Sequence, residues 1–253
     1  ARLQGLEAAR DRGRRAAAAI GATSARELKS LPASRLLEMG SGWNLPVIDG
    51  DLITGSVIER LEASDAPRVP LLAGITSAER SFDASLALSR MGVDSLRALL
   101  TRTYRDAVSD VLAAYGSPRT ESETRIATRD ILADEWTGIG TFRACAALSA
   151  RGAPVFSYVF DHSRPQPVPG SGGWTTKDGA GHSTDIEYFL GTQPLAKAYP
   201  WSGEDQALSM RMIAHLAQFA KSGSPNCEGH PTWPDFRTGR RQVLSIRGGT
   251  RDL

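Results

Sequence analysis

Cysteine is scarce: Cys145 and Cys227 are the only two in 253 residues, too few for a disulfide framework or, alone, a zinc site. Lysine is nearly as rare, at four positions (Lys29, Lys177, Lys197 and Lys221), so arginine carries almost all the positive charge. No apolar run approaches the roughly 20 residues that a helix needs to cross a bilayer, so no membrane partner is expected. Charge of one sign is also missing. The net charge is +2, with acids and bases interspersed, whereas a nucleic-acid surface needs a basic stripe. Residues 10–22 superficially resemble a secretory signal, but Glu7 and Asp11 spoil the basic region and the apolar part is short and mostly alanine. That segment reads as an amphipathic helix.

What is present is a mixed α/β pattern. Helices are expected over 4–20, with Gly21 as a stop, and after the capping-box sequence Ser24-Ala-Arg-Glu27. A turn follows at 33–39, then an apolar step at 45–51 and a short helix near 56–63. Val69-Pro-Leu-Leu-Ala-Gly74 reads as a buried strand. Segments near 82–91, 94–101, 103–115, 122–135 and 138–151 carry apolar residues at helical spacing. Pro154-Val-Phe-Ser-Tyr-Val-Phe160, rich in β-branched and aromatic residues, is the clearest strand. A Gly/Pro-rich loop over 161–181 leads to a short helix at 185–190, a long one at 204–221 and a last strand at 243–246. Three strands against about eight helices is a small sheet for so many helical faces, so the chain reads as part of a larger α/β layer structure.

Four histidines are available for chemistry: His162, His182, His215 and His230. His215 lies within the 204–221 helix and reads as packing or a solvated face; His230 sits in a polar loop without a partner pattern. His162 follows a strand's C-terminal end, where open α/β sheets place ligands. His182 is presented by Gly179-Ala-Gly181 just before a helix start. A general-base histidine needs a carboxylate to fix its tautomer and support the imidazolium. Glu79, in the loop leaving the first strand, is the candidate acid. A metal reading, pairing His182 with Asp185 or Asp161, lacks a third ligand at recognisable spacing.

Five segments together resemble the type-B carboxylesterase/cholinesterase family. They are Pro46-Val-Ile-Asp-Gly-Asp51, Arg68-Val-Pro-Leu-Leu-Ala-Gly-Ile-Thr-Ser-Ala-Glu79, Gly152-Ala-Pro-Val-Phe-Ser-Tyr-Val-Phe160, Gly179-Ala-Gly-His-Ser-Thr-Asp-Ile-Glu-Tyr-Phe-Leu-Gly191, and Phe219-Ala-Lys-Ser-Gly-Ser-Pro-Asn226 with Trp233-Pro234. The resemblance implies an α/β-hydrolase fold, with residues 1–253 forming the C-terminal part of one such domain. It also implies Glu79 as the triad acid, His182 as the base, a small-molecule carboxylic ester as substrate, and no cofactor or metal.

Two departures accompany the resemblance. The acid loop usually reads Asp-Glu-Gly, whereas this chain has Ala78-Glu79-Arg80. No serine sits in the Gly-x-Ser-x-Gly elbow that carries the nucleophile, and no His-Gly-Gly oxyanion segment occurs. The expectation is therefore a serine esterase whose nucleophile and oxyanion hole lie on an N-terminal half outside these residues. The competing reading is an esterase-like scaffold used for binding or adhesion. Keeping both an acid and a base favours the enzyme.

Overall fold

A computed structural model describes residues 4–38, 46–63, 68–80, 91–176, 179–236 and 243–247. The chain divides into two compact units, Ala1–Ala66 and Pro67–Leu253.

In the first unit, β1 (Gln4–Gly5) and β2 (Val47–Ile48) pair in parallel, and between them run α1 (Leu6–Ala19), α2 (Ala25–Ser30) and α3 (Ala33–Leu37). The last helix is α4 (Val57–Glu62). Strands of two residues are too short to leave a sequence pattern, and neither was expected. The capping boxes are as local chemistry dictates. Ser24 accepts from the Glu27 amide while the Glu27 carboxylate accepts from the Ser24 amide, and Ser56 and Glu59 repeat the arrangement at α4.

The second unit is built on a parallel sheet of β3 (Leu71–Thr76), β4 (Val155–Phe160) and β5 (Leu244–Ile246), in that spatial order. Parallel neighbours need long crossovers. The first crossover comprises α5 (Val93–Tyr104), α6 (Val108–Ala114), α7 (Glu121–Ala133) and α8 (Ile139–Ala150). The second carries α9 (Ile186–Leu190) and α10 (Gly203–Ser222). β3 begins two residues later than its apolar run, because Pro70 has no amide hydrogen and the ladder starts with Leu71 donating to the Pro154 carbonyl at 2.9 Å. The expected helix at 82–91 falls almost wholly outside the described residues. The segments expected at 122–135 and 138–151 are continuous: α7 runs into α8 through a π-helical turn, Asp134–Gly138.

Two apolar clusters hold this unit. Phe156, Phe160, Tyr188, Leu208, Met212, Trp233 and Ile246 join the sheet to α9 and α10. Leu96, Leu100, Leu112, Ala127 and Ile131 pack α5, α6 and α7 together. The first cluster includes Phe160 at the C-terminal end of β4, and the loops beyond the C-terminal ends of β3 and β4 form the site. The α/β class agrees with the sequence reading.

Candidate active site

Thr76 ends β3, and the chain turns so that Glu79 folds back. Its Oε1 accepts from the Thr76 amide at 2.8 Å, which pins the carboxylate at the strand terminus. On the neighbouring loop, the Ala78 amide donates to the Ala180 carbonyl at 2.8 Å and the Ala180 amide donates to Ser77 Oγ at 2.9 Å. These bonds form an isolated parallel bridge between Ala78 and Gly181, joining segments 103 residues apart. Gly179 is required at this junction. Its φ is +77°, and a Cβ there would lie 2.5 Å from Ser77 Oγ.

One residue beyond the bridge on each side, Glu79 meets His182. The ring Nδ1 lies 2.5 Å from Glu79 Oε2. An ionised carboxylate only accepts, so Nδ1 carries the hydrogen and Nε2 is left as the basic nitrogen. The burial is asymmetric: the Glu79 side chain is 7% exposed, the His182 side chain 47%. The carboxylate is shielded from water, and the imidazole is open to a second molecule. After His182 the chain passes through Ser183 at φ +65°, an uncommon conformation for a residue with a side chain. Thr184 Oγ1 then donates to the Gly181 carbonyl at 2.7 Å, tightening the turn that carries the imidazole.

Further groups surround this pair. Tyr158 stands opposite Gly74 in the β3–β4 ladder, and its hydroxyl donates to Asp185 Oδ2 at 2.8 Å. Burial pushes the Asp185 carboxyl above its usual range, and burial with the Asp185 charge pushes the Tyr158 phenol up as well. Trp136, on the π-turn, lies with its ring centroid 4.8 Å from that of His182. The Arg80 guanidinium is 5.9 Å from the Trp136 centroid. Trp136 falls between the helical segments expected at 122–135 and 138–151, and nothing in the sequence singled it out. Asp185 drew notice only as a metal ligand. The structure commits it to Tyr158, and Asp161 faces Arg247 at 3.4 Å, so neither stands as a partner of His182 in a metal set.

The other histidines lie elsewhere. His162 Nε2 bonds Asp205 Oδ1 at 2.8 Å, and Nδ1 donates to the Arg247 carbonyl at 3.2 Å. Asp205 also accepts from Tyr188 and Ser202. Burial alone would raise the Asp205 carboxyl, but the bonds from His162, Ser202 and Tyr188 outweigh it and hold it well below the carboxylate range. The bond to Asp205 in turn raises His162. This buried cluster ties the ends of β4 and β5 to α9 and α10. His215 is fully buried, with Nδ1 donating to the Pro225 carbonyl at 2.8 Å, and its burial holds it below the usual imidazole range. His230 lies against it, ring centroids 5.3 Å apart, a contact the sequence did not suggest.

The Carboxylesterase family profile matches residues 22–252. This chain belongs to that family. The chain is 26% identical over 204 residues to carboxylesterase 4A of Bos taurus, covering 76% of this chain and 36% of that one. It is 28% identical over 230 residues to the bile salt-activated lipase of Rattus norvegicus, covering 80% of this chain and 35% of the lipase. A crystal structure of a Geobacillus stearothermophilus carboxylesterase aligns with a TM-score of 0.76 at 24% identity, covering 97% of this chain and 52% of that chain. The α/β-hydrolase class follows from these matches. The chain spans about a third of the length of the curated relatives it matches. Among the described residues no helix is long and apolar enough to cross a membrane.

Proposed function

We propose that residues 1–253 are the C-terminal part of a single α/β-hydrolase domain that hydrolyses carboxylic esters through an acyl-enzyme, with His182 as general base and Glu79 as the triad acid. The observation that carries this reading is the 2.5 Å bond between two loops distant in sequence, with a buried acid and an accessible imidazole. The nucleophilic serine and the oxyanion hole come from an N-terminal segment outside these residues. Two observations support that division. The sequence has no Gly-x-Ser-x-Gly elbow, and the apolar strand β3 stands at the edge of the described sheet and is half-exposed over most of its length.

In the reaction, the serine hydroxyl attacks the ester carbonyl as His182 Nε2 takes its proton. Glu79 stays ionised, holds the Nδ1–H and stabilises the imidazolium. The proton then passes to the leaving alkoxide, releasing the alcohol and leaving an acyl-serine. A water, deprotonated by the same nitrogen, attacks the acyl carbon and releases the acid. The Thr76 amide on Oε1 holds the carboxylate in position while Oε2 faces the imidazole.

The test is covalent labelling of the complete enzyme with a fluorophosphonate probe. The expected result is one labelled serine outside residues 1–253, with labelling abolished by His182→Ala. Labelling of a serine within these residues, or undiminished labelling in His182→Ala, contradicts the proposal.

A further inference from the structure

Glu79 fixes only one nitrogen of His182, and a ring held at one point still rocks about that bond. A second contact is needed to aim Nε2, because misplacement of a catalytic group by about 1 Å costs on the order of 10²-fold in rate. Trp136 makes that contact. Its ring centroid lies 4.8 Å from the imidazole at an interplanar angle of 51°, within the range of favourable aromatic packing.

Trp136 is itself held on two sides. The π-turn that projects it is braced by its acidic neighbours: Asp134 Oδ2 accepts from the Tyr115 hydroxyl at 2.7 Å, and Glu135 Oε1 from the Tyr104 hydroxyl at 2.5 Å. Single π-turns inside α-helices recur at functional sites because they re-aim side chains out of the regular helical track. On the other side the Arg80 guanidinium packs over the indole. Arg80 directly follows Glu79, so the four side chains close a ring: Glu79 to His182, His182 to Trp136, Trp136 to Arg80, and back through the chain. Arg80 is also, with Ala78, one of the two positions at which this sequence departs from the family's Asp-Glu-Gly pattern.

We propose that Trp136 is a positioning residue: its ring contact orients the His182 imidazole so that Nε2 is aimed at the reacting groups. The inference rests on His182 being the general base. Removing the indole frees the ring and lowers kcat for every substrate, with KM little changed.

Two measurements test this. In the complete enzyme, Trp136→Ala and Trp136→Phe are compared with wild type on an acetate ester of an activated phenol. Trp136→Ala is expected to lose roughly ten- to a hundredfold in kcat with KM little changed. Trp136→Phe keeps an aromatic contact and should recover most of kcat. Unchanged kcat in Trp136→Ala, with His182→Ala inactive, overturns the inference and leaves the dyad standing. A loss that Trp136→Phe does not recover also overturns it, because that is the signature of a structural role. An active His182→Ala instead removes the reading on which it rests. In the same complete enzyme, protonated imidazole quenches an indole in contact. The fluorescence difference between wild type and Trp136→Phe should therefore vary with pH and lose that variation when His182→Gln is added. A difference independent of pH contradicts the contact.

Discussion

Gly74 and Tyr158 face each other across the β3–β4 ladder, and the tyrosine ring fills the space that any side chain at 74 would need. A Cβ on Gly74 would lie 2.4 Å from the ring. The same ring carries the hydroxyl that bonds Asp185, so this close approach links sheet packing to the turn bearing His182. Gly74→Ala should cost about 1–3 kcal/mol, as overpacking in a filled core does. It should also weaken ester turnover through the displaced turn. Chemical denaturation with a parallel turnover assay checks both, and an unchanged midpoint would refute the packing argument.

The His162–Asp205 pair predicts a pH dependence of stability. His162 is raised by its bond to Asp205, so its contribution is complete below the ordinary imidazole pKa and is lost as pH rises through the elevated folded value. Asp205 is depressed, so its contribution is present above the ordinary carboxylate pKa and is lost only in strong acid. Together they stabilise the fold between those two titrations. Melting temperature should therefore fall more steeply for wild type than for His162→Gln as pH rises from about 6 to about 9. Parallel curves would dismiss the pair as a source of stability.

Cys145 is fully buried in α8, and burial pushes its thiol up, whereas Cys227 is partly exposed. A thiol reagent applied to the native chain should modify Cys227 and leave Cys145 intact until unfolding. Mass spectrometry of the labelled peptides checks this, and early modification at Cys145 would place α8 wrongly.

Among the described residues β3 pairs on one side only, with β4. An apolar strand left open at an edge recruits other chains. The 253-residue chain alone should self-associate, and co-expression with the N-terminal segment proposed to carry the serine should suppress this. Monomeric sedimentation of the isolated chain with a cooperative melt would count against the need for a companion.

Much of this arrangement was legible in sequence because its parts are local. The strands at 71–76 and 155–160 are short apolar runs between turn residues. The helix at 203–222 carries an apolar stripe and stops at Gly223, whose φ is +75°. Glu79 and His182 were found through their flanking segments, each tied to a strand end or a Gly-rich turn. The place of Trp136 was illegible because it lies between two helical patterns, and a π-turn, which has no periodic signature of its own, is what aims its side chain at His182. The Asp205 cluster was hidden for another reason. Asp205 reads as an ordinary capping-box residue at the start of α10, and only tertiary packing brings His162 and Tyr188 onto it.

The most direct test compares turnover of a short-chain activated ester by the complete enzyme with that of its His182→Ala, Glu79→Gln and His215→Gln variants. Loss of His182 should reduce turnover by several orders of magnitude. Loss of the Glu79 charge should cost on the order of 10⁴-fold, as removing a triad acid does elsewhere. His215→Gln, buried and bonded only to a loop carbonyl, should stay within a few-fold of wild type wherever it remains folded. Near wild-type turnover in His182→Ala would contradict the mechanism, and a large loss confined to a folded His215→Gln would move the site.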